Sequence, residues 1–340
     1  MLERLELTEA INALAVFPQN FIGRDGLSGE ELTRVPYGED FVARFKYRYA
    51  TIQRSDLLRT LVDAARKQPS IRLSTSMRVT GFEQLGDRVI VETQDGGARE
   101  GCALVGADGL WSRVRGQLLG DGEPRVSGHI AYRAVVPTSK VPEHLHTDDV
   151  VIWVGPRTHL VHYPLRRGDF YNLVAVFHSD RYEKGWDTYG DPEELRQSFR
   201  GQRPEVLDFL ALVEDWRMWV LCDREPVSRW SEGRVTLLGD AAHPMLQYLA
   251  QGGAMAIEDA VVLADHVTDA RGDFAAAFLE YQKARYLRTT RVQVTARLYG
   301  ELFHATDAVR DLRRALLAGR TPEQHYAGLA WLYDYNPFKV

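Results

Sequence analysis

The sequence predicts an α/β fold, in which an incomplete doubly wound sheet is accompanied by an antiparallel sheet and C-terminal helices. Two short apolar runs, at 102–105 and 235–238, each lead through a glycine turn into a helical pattern, as buried strands of such a sheet do. Residues 127–221 are rich in aromatic and β-branched residues, which favour antiparallel strands. Residues 274–299 and 301–317 have the apolar spacing of two long amphipathic helices. Their arginines, at 285, 288, 291, 297, 310, 313 and 314, are expected mostly on solvated faces.

Composition narrows the class of protein. A chain of 340 residues, 45% hydrophobic and 26% charged, can bury the core of one large or two moderate domains. A formal net charge of -5 without a long basic stretch argues against a nucleic-acid partner. Cys102 and Cys222 are far apart, so no disulfide framework is indicated and a cytoplasmic location is expected. The sequence has no apolar run of membrane-spanning length, no signal peptide and no metal-ligand spacing.

The first hundred residues alternate between helical and extended patterns. Residues 1–14 predict a helix, and 17–50 predict strands and loops punctuated by glycine and proline. A second helix follows Arg54, with Ser55 as its expected N-cap. Residues 71–100 alternate as a β-meander with a hairpin turn at 95–97.

The meander leads into the first strand–turn–helix stretch, at 102–115. Asp108 is the conspicuous acid of its turn, and Ser112 lies near the expected helix cap. Arg113 and Arg115 follow on the helix. Either could meet a phosphate, although a solvent-facing arginine is the more frequent role at such a position.

Residues 127–221 contain a pair of side chains suited to acid–base chemistry. His159 and Tyr163 are four apart on one predicted strand, so both point to the same face, whereas His162 points to the other. Histidine has an ordinary pKa of about 6.5 and suits the removal of a phenol proton. The alternative is a sheet histidine with satisfied hydrogen bonds and no catalytic role. Short helices are expected at 191–200 and 205–213.

The second strand–turn–helix stretch, residues 239–260, has the features of a ligand site. Asp240 at the strand end can accept hydrogen bonds from sugar-like hydroxyls. Gly252 and Gly253 allow a ligand to approach the backbone, and the following helix N-terminus favours an anionic or electron-rich group. Taken alone, the Gly-Gly pair also fits a βα corner that uses glycine only for tight packing.

Residues 239–260 resemble the GD motif of the single-component flavoprotein aromatic hydroxylases, which have the para-hydroxybenzoate hydroxylase fold. The resemblance implies an FAD cofactor, with Gly239 and Asp240 at its ribityl chain. It places Pro244 beside the isoalloxazine ring and the helix N-terminus at Gly252 and Gly253 against the pyrimidine end of the flavin.

Two further stretches carry the same resemblance. Residues 102–115 resemble the family's DG motif, which implies that Asp108 contributes to FAD and nicotinamide-dinucleotide binding. Arg54 matches the arginine that reaches the FAD phosphates in the family. In such enzymes NADH or NADPH reduces the flavin, which reacts with O2 to give an electrophilic C4a-hydroperoxide, and the phenolate of the substrate attacks this electrophile.

His159, Tyr163 and Gln247 resemble the substrate residues of the 3-hydroxybenzoate 6-hydroxylase branch of this family. That branch converts 3-hydroxybenzoate, NADH and O2 to 2,5-dihydroxybenzoate (gentisate). Salicylate 1-hydroxylase, which forms catechol, shares much of the motif set and remains the alternative within the class.

The resemblance implies an FAD-binding domain at 1–16, 51–126 and 233–272, a substrate domain at 17–50 and 127–232, and a C-terminal helical region at 273–340. The sequence contains no GxGxxG turn, so a first βαβ unit is expected to be missing. An inactive fragment of low solubility, or a homodimer that covers the exposed sheet edge, is therefore a further alternative.

Overall fold

The computed structural model describes residues 1–180 and 188–337. Residues 181–187 of the expected substrate domain, and 338–340 of the expected helical region, lie outside the described residues. The described strands, in chain order, are β1 (Asn20–Asp25), β2 (Glu31–Pro36), β3 (Val79–Leu85), β4 (Arg88–Thr93), β5 (Ala98–Gly101), β6 (Leu104–Gly106), β7 (Arg125–Pro137), β8 (Val150–Gly155), β9 (Thr158–Leu165), β10 (Phe170–His178), β11 (Thr188–Tyr189), β12 (Arg217–Asp223), β13 (Ser231–Glu232) and β14 (Val235–Leu237).

The described α-helices, in chain order, are α1 (Thr8–Leu14), α2 (Glu39–Phe45), α3 (Arg54–Arg66), α4 (Arg113–Leu119), α5 (Pro192–Ser198), α6 (Pro204–Ala211), α7 (Gly252–Asp269), α8 (Phe274–Phe303), α9 (Asp307–Leu317) and α10 (Pro322–Tyr333). Among the described residues, no helix combines the length and the apolar character that a membrane crossing requires.

The chain forms two compact units. Unit 1 comprises residue 1 with 69–127 and 222–300, and unit 2 comprises 2–68, 128–221 and 301–340. Both strand–turn–helix stretches lie in unit 1, and the predicted antiparallel region lies almost entirely in unit 2.

Unit 1 is built on two three-stranded sheets. One has the order β13-β14-β6, in which β14 and β6 are parallel, with Val235 opposite Leu104 and Leu237 opposite Gly106. The other is the predicted meander, β3-β4-β5. Because β6 and β14 run in the same direction, the two turns that follow them leave the sheet at the same edge.

Unit 2 is built on an eight-stranded sheet with the order β11-β12-β7-β10-β9-β8-β1-β2. One face packs against α5 and α6 in a core that includes Tyr132, Leu160, Phe177, Phe199 and Trp216. The helix α5 starts where expected, with the Asp191 side chain accepting the Glu193 N–H. The other sheet face carries the candidate site.

Local predictions fail where the backbone departs from a regular helix. Residues 1–14 do not form one helix. A short 3-10 turn ends near Leu5, Glu6 has a positive φ of 55°, and α1 begins only at Thr8. Ser55 is not the N-cap of α3, because the helix already begins at Arg54, after Gln53, and uses no side-chain cap. Nothing in the local pattern of 17–50 indicated α2, which packs its phenylalanines into an aromatic cluster with Tyr326.

Candidate active site

The loop between β14 and α7, which we call the GD loop (residues 238–251), is a shaped turn. Gly239 has a positive φ of 61°, and a Cβ at this position would lie 3.0 Å from the Cβ of Ala256. Only glycine fits this backbone and this approach without strain. The loop ends at Gly252, where α7 begins without a side-chain cap, so its first N–H groups remain available to a ligand.

The groups at the mouth of the GD loop suit a flavin. Asp240 is exposed, and its carboxylate has no partner in the part of the chain that the structure describes. Gly253 is also exposed, and a Cβ there would meet no atom within 4 Å. The unengaged carboxylate can accept hydrogen bonds from ribityl hydroxyls, and the open N–H groups of the helix N-terminus can donate to ring carbonyls. The residues present therefore fit FAD.

A buried ion network holds the start of the GD loop. The Asp259 carboxylate accepts the Gly239 N–H at 3.0 Å and lies 2.5 Å from Nε2 of His243. Its other oxygen accepts from Nε of Arg285 at 2.7 Å, and both partners are fully buried. Burial raises the pKa of Asp259, but His243 and Arg285 outweigh that effect and lower it. The carboxylate therefore stays ionised and binds the loop.

Two further side chains fix the middle of the GD loop. Arg115 is 0% exposed, and its Nη1 donates to the backbone carbonyls of Ala241 at 3.0 Å and Ala242 at 2.6 Å. Nε2 of Gln293 donates to the carbonyl of Pro244 at 2.9 Å. Since Arg115 lies on α4, it connects the predicted DG stretch directly to the GD loop.

The Asp108 carboxylate organises the start of α4. It accepts from Oγ of Ser112 at 2.5 Å and from the Arg113 N–H at 2.7 Å, while Ser112 accepts the Arg115 N–H at 2.8 Å. The Ser112 cap is confirmed. Asp108 remains exposed, so its carboxylate both supports the turn and faces solvent.

In unit 2 the strand registers place the predicted substrate residues on one sheet face. On β10, Asn172 lies opposite Tyr163 and Val176 lies opposite His159. Val174, midway between these two β10 residues, lies opposite Arg133 of β7. Alternate residues of a strand point to the same face. Directly opposed residues share a face. Arg133 therefore lies on the same face as His159 and Tyr163.

Positive charge gathers near Tyr163. Burial raises the pKa of the Tyr163 hydroxyl, while the nearby cations of Arg133 and Arg54 act to lower it. Arg54 is the exposed first residue of α3. The neighbouring Asp56 anchors this helix through a two-bond ion pair with Arg166, at 2.8 Å for each bond. This end of the face is suited to an anion.

His159 lies deeper on the same face, in contact with a second histidine. Its Nδ1 is 2.7 Å from Nε2 of His304, and the His159 side chain is 3% exposed. Burial, with a contribution from His129, lowers the pKa of His159 to about 3. The expectation of an ordinary pKa near neutrality is therefore wrong, because desolvation disfavours the imidazolium. At neutral pH His159 is a neutral imidazole that can accept one hydrogen bond and donate another.

The predicted site residues divide between the two units. Unit 1 contains the GD loop and DG residues, which are Asp108, Gly239, Asp240, Pro244, Gln247, Gly252 and Gly253. Unit 2 contains Arg54, His159 and Tyr163. His162 lies on the opposite sheet face, as the strand parity predicted, and its ring packs 4.1 Å from that of Phe209.

Comparison with known proteins identifies the family. A family model described as an FAD binding domain matches residues 20–293. The chain belongs to this FAD-binding family. It is 42% identical over 334 residues to the 3-hydroxybenzoate 6-hydroxylase of Polaromonas naphthalenivorans (strain CJ2), covering 98% of this chain and 83% of that protein. This FAD-binding protein is accordingly a flavoprotein aromatic monooxygenase, and FAD is its cofactor.

Solved structures agree with the fold of the FAD-binding family. Klebsiella pneumoniae HpxO complexed with FAD and uric acid matches with a TM-score of 0.87 and 28% identity, covering 99% of this chain and 86% of that one. A salicylate hydroxylase substrate complex matches with a TM-score of 0.83 and 22% identity, covering 99% and 85% of the two chains. The predicted para-hydroxybenzoate hydroxylase-like α/β fold is confirmed.

Several residues that shape the candidate site were not predicted from the sequence. They are Arg133, Asp259, Gln293 and His304, together with Arg285, which was expected on a solvated face. Arg115 was considered only as a phosphate contact or a solvent-facing residue, and it is instead fully buried. Arg133 and Arg285 lie outside every predicted motif, so the sequence gave no local indication of their roles. Asp259 alone offered one, because an acid within an apolar helical face requires a buried partner.

Proposed function

We propose that this flavoprotein hydroxylates 3-hydroxybenzoate to 2,5-dihydroxybenzoate, with NADH as reductant and O2 as the second substrate. The observation that carries the proposal is the shared sheet face of His159, Tyr163 and Arg133, which offers a hydrogen-bond acceptor at one end and positive charge at the other. A meta-hydroxybenzoate presents the matching groups, a phenol and a carboxylate. The 42% identity to a protein named 3-hydroxybenzoate 6-hydroxylase supports the same substrate.

The two ends of the substrate need different partners. We assign the carboxylate to Arg133 and the Tyr163 hydroxyl, because a partly buried cation can pair with an anion while a phenol donates a hydrogen bond to it. We assign the phenol to the neutral imidazole of His159, which accepts the hydroxyl proton in a hydrogen bond. Gln247 of unit 1 is a proposed hydrogen-bond partner of the substrate.

His159 promotes attack by increasing phenolate character. A proton shared from the phenol to His159 puts electron density on the ring carbon para to the oxygen, where the new hydroxyl is introduced. His304 holds the His159 ring through the 2.7 Å contact to Nδ1, so the nitrogen that faces the phenol is Nε2. His304 is therefore a positioning residue.

FAD would be held by this chain's own groups. We assign the ribityl chain to Asp240 and the pyrimidine end of the flavin to the α7 N-terminus at Gly252 and Gly253. We assign the phosphates to Arg54 and to the backbone at the start of α4, which Asp108 holds in place. Pro244 and Gly239 shape the loop beside the ring. When bound, FAD supplies the activated oxygen after reduction by the nicotinamide.

The substrate is tested by a steady-state comparison. The chain is loaded with FAD, and NADH oxidation is followed with 3-hydroxybenzoate and with salicylate at matched concentrations. The proposal expects 3-hydroxybenzoate to stimulate NADH oxidation at least tenfold more than salicylate does. The opposite order, with catechol as product, would establish the salicylate 1-hydroxylase alternative. Failure to retain FAD in gel filtration would instead support the inactive-fragment alternative.

A further inference from the structure

Unit 2 contains a group of three histidines, His129, His178 and His304, which we call the three-histidine cluster. One ring nitrogen of each lies within 4.8 Å of the corresponding nitrogen of the other two. Nε2 of His178 is 3.1 Å from Nδ1 of His304. The rings of His129 and His178 have centroids 4.2 Å apart, and those of His129 and His304 are 4.7 Å apart.

The backbone holds all three ligands of this cluster in place. His129 and His178 are paired residues in the antiparallel ladder between β7 and β10, so their side chains share a face. His304 follows the last residue of α8, and its carbonyl accepts the Arg157 N–H at 3.0 Å. The carbonyl of Arg157 in turn accepts the His178 N–H at 3.1 Å. The cluster is therefore built from three elements and does not depend on mobile side chains alone.

We propose that the three-histidine cluster is a binding site for a late first-row divalent cation, with Zn2+ as the representative ion. Imidazole nitrogens prefer Zn2+, Cu2+ and Ni2+ over Mg2+ and Ca2+. Nitrogen–zinc bonds of about 2.0–2.1 Å put two ligand nitrogens about 3.3 Å apart on a tetrahedral ion, close to the 3.1 Å separation of His178 and His304. Three histidines leave the fourth position for water.

An ion can reach the cluster from solvent. A surface cleft of about 490 Å³ is lined in part by Gly128, Thr158 and His178, and His178 is only partly buried. Charges near the cluster have both signs. The positively charged Arg157 has its Nε 3.4 Å from Nδ1 of His178. The negatively charged Glu301 has the opposite electrostatic effect on the pKa of the same imidazole ring. Arg313, which also acts on His304, is paired with Asp25.

The spacing of these residues in the chain explains why the sequence predicted no metal site. His129 and His178 are joined only by strand pairing, and His304 comes from beyond the long helix α8. No short ligand motif connects them. The site adjoins the proposed hydroxylation chemistry, because His304 has its Nδ1 in the cluster and its Nε2 against His159.

The test is Zn2+ binding to the full chain, purified without a polyhistidine tag and measured by titration calorimetry. The expected result is one equivalent of Zn2+ per chain. His178→Ala removes the most accessible ligand and is expected to weaken Zn2+ binding at least about tenfold. Even the loss of a hydrogen-bond partner of a metal ligand lowers metal affinity by about that factor. His144→Ala, at an exposed histidine outside the cluster, is the matched control and should bind as wild type does.

A second measurement keeps the proposal falsifiable if the variant folds poorly. Crystals of the wild-type protein grown with Zn2+ should give an anomalous peak at the zinc edge within bonding distance of His178 Nε2 and His304 Nδ1. No saturable Zn2+ binding by the wild-type chain would overturn the proposal. A zinc peak located only elsewhere would overturn it as well.

Discussion

The carboxylate of Asp259 accepts the backbone N–H of Gly239 at 3.0 Å, and so a buried side chain on α7 fixes Gly239 near the start of the GD loop. The same carboxylate pairs with Arg285 at 2.7 Å. The shape of the GD loop therefore depends on a buried residue that does not line the proposed flavin site. This relationship separates the residues that support the loop from the residues that we propose contact FAD, and the two groups should respond differently to substitution.

Replacing Asp259 should damage both stability and FAD binding. Asp259→Ala removes the anchor of the Gly239 N–H and one of the acids that pair with the buried Arg285, which still pairs with Glu258 at 2.7 Å. Removing one member of a buried pair costs about 3–5 kcal/mol when the other is left uncompensated, so a loss at the lower end, about 3 kcal/mol, is expected. Chemical denaturation and an FAD fluorescence titration measure the two effects. Asp269→Asn, at an exposed acid on the same helix, is the control and should change neither. Unaltered stability of Asp259→Ala would refute the network's importance.

Replacing Asp240 should affect FAD alone. Because this carboxylate is exposed and bonds to no described residue, Asp240→Ala should change the free energy of unfolding by less than about 0.5 kcal/mol. A hydrogen bond to a charged group contributes about 1.5–3 kcal/mol, so FAD should bind roughly 10- to 150-fold more weakly. The same titration and denaturation measure both quantities. FAD affinity equal to that of the wild type would show that Asp240 does not hold the ribityl chain.

His159 should be needed for hydroxylation and not for flavin binding. His159→Ala removes the neutral imidazole that accepts a hydrogen bond from the phenol, and kcat for 3-hydroxybenzoate should fall about 100-fold. Raising the pH toward about 10, where a phenol ionises by itself, should restore part of the lost rate. The measurement is product formation against pH for the variant and the wild type. A uniform decrease at every pH would indicate a structural role only.

The lowered pKa of Asp25 predicts a contribution to folding stability that is lost in acid. Burial raises the pKa of Asp25, but hydrogen bonds from Arg310 and from the N–H groups of Ser28 and Leu27 outweigh it and lower the pKa to about 2. A depressed carboxyl pKa stabilises the folded state above the unfolded-state pKa of about 3.9, and that stability is lost as pH falls through about 4 toward 2.

The expected size of the Asp25 effect is on the order of 2 kcal/mol at neutral pH. Asp25→Asn should therefore lower the free energy of unfolding at pH 7, and the difference from wild type should shrink as the pH falls below about 4. Urea unfolding across this range measures it, with Asp40→Asn at an exposed acid as the control. A wild-type-to-variant difference that does not depend on pH would contradict the assignment.

Local patterns predicted the motif-bearing elements well. Residues 235–238 were expected as a strand that leads through a glycine turn into a helix, and the structure has β14 at Val235–Leu237 and α7 at Gly252–Asp269. Glycine spacing and apolar periodicity are properties of a short stretch, so a short stretch is enough to recognise them. The strand parity that set His159 apart from His162 is confirmed for the same reason.

Partnerships between distant segments could not be predicted in this way. Arg285 and Arg313 were expected on solvated faces, which is wrong, since they are 0% and 3% exposed. Each is buried because an acid from another segment meets it, Asp259 for Arg285 and Asp25 for Arg313. A helical pattern describes the face on which a side chain lies but not which charge will pack against that face.

The measurement that tests the proposed activity most directly is product identification with labelled oxygen. The FAD-loaded chain is incubated with 3-hydroxybenzoate, NADH and 18O2, and the products are separated and analysed by mass spectrometry. The proposal predicts 2,5-dihydroxybenzoate that carries one 18O atom, formed in proportion to the NADH consumed. A different dihydroxybenzoate, or NADH consumption that yields no hydroxylated product, would contradict it.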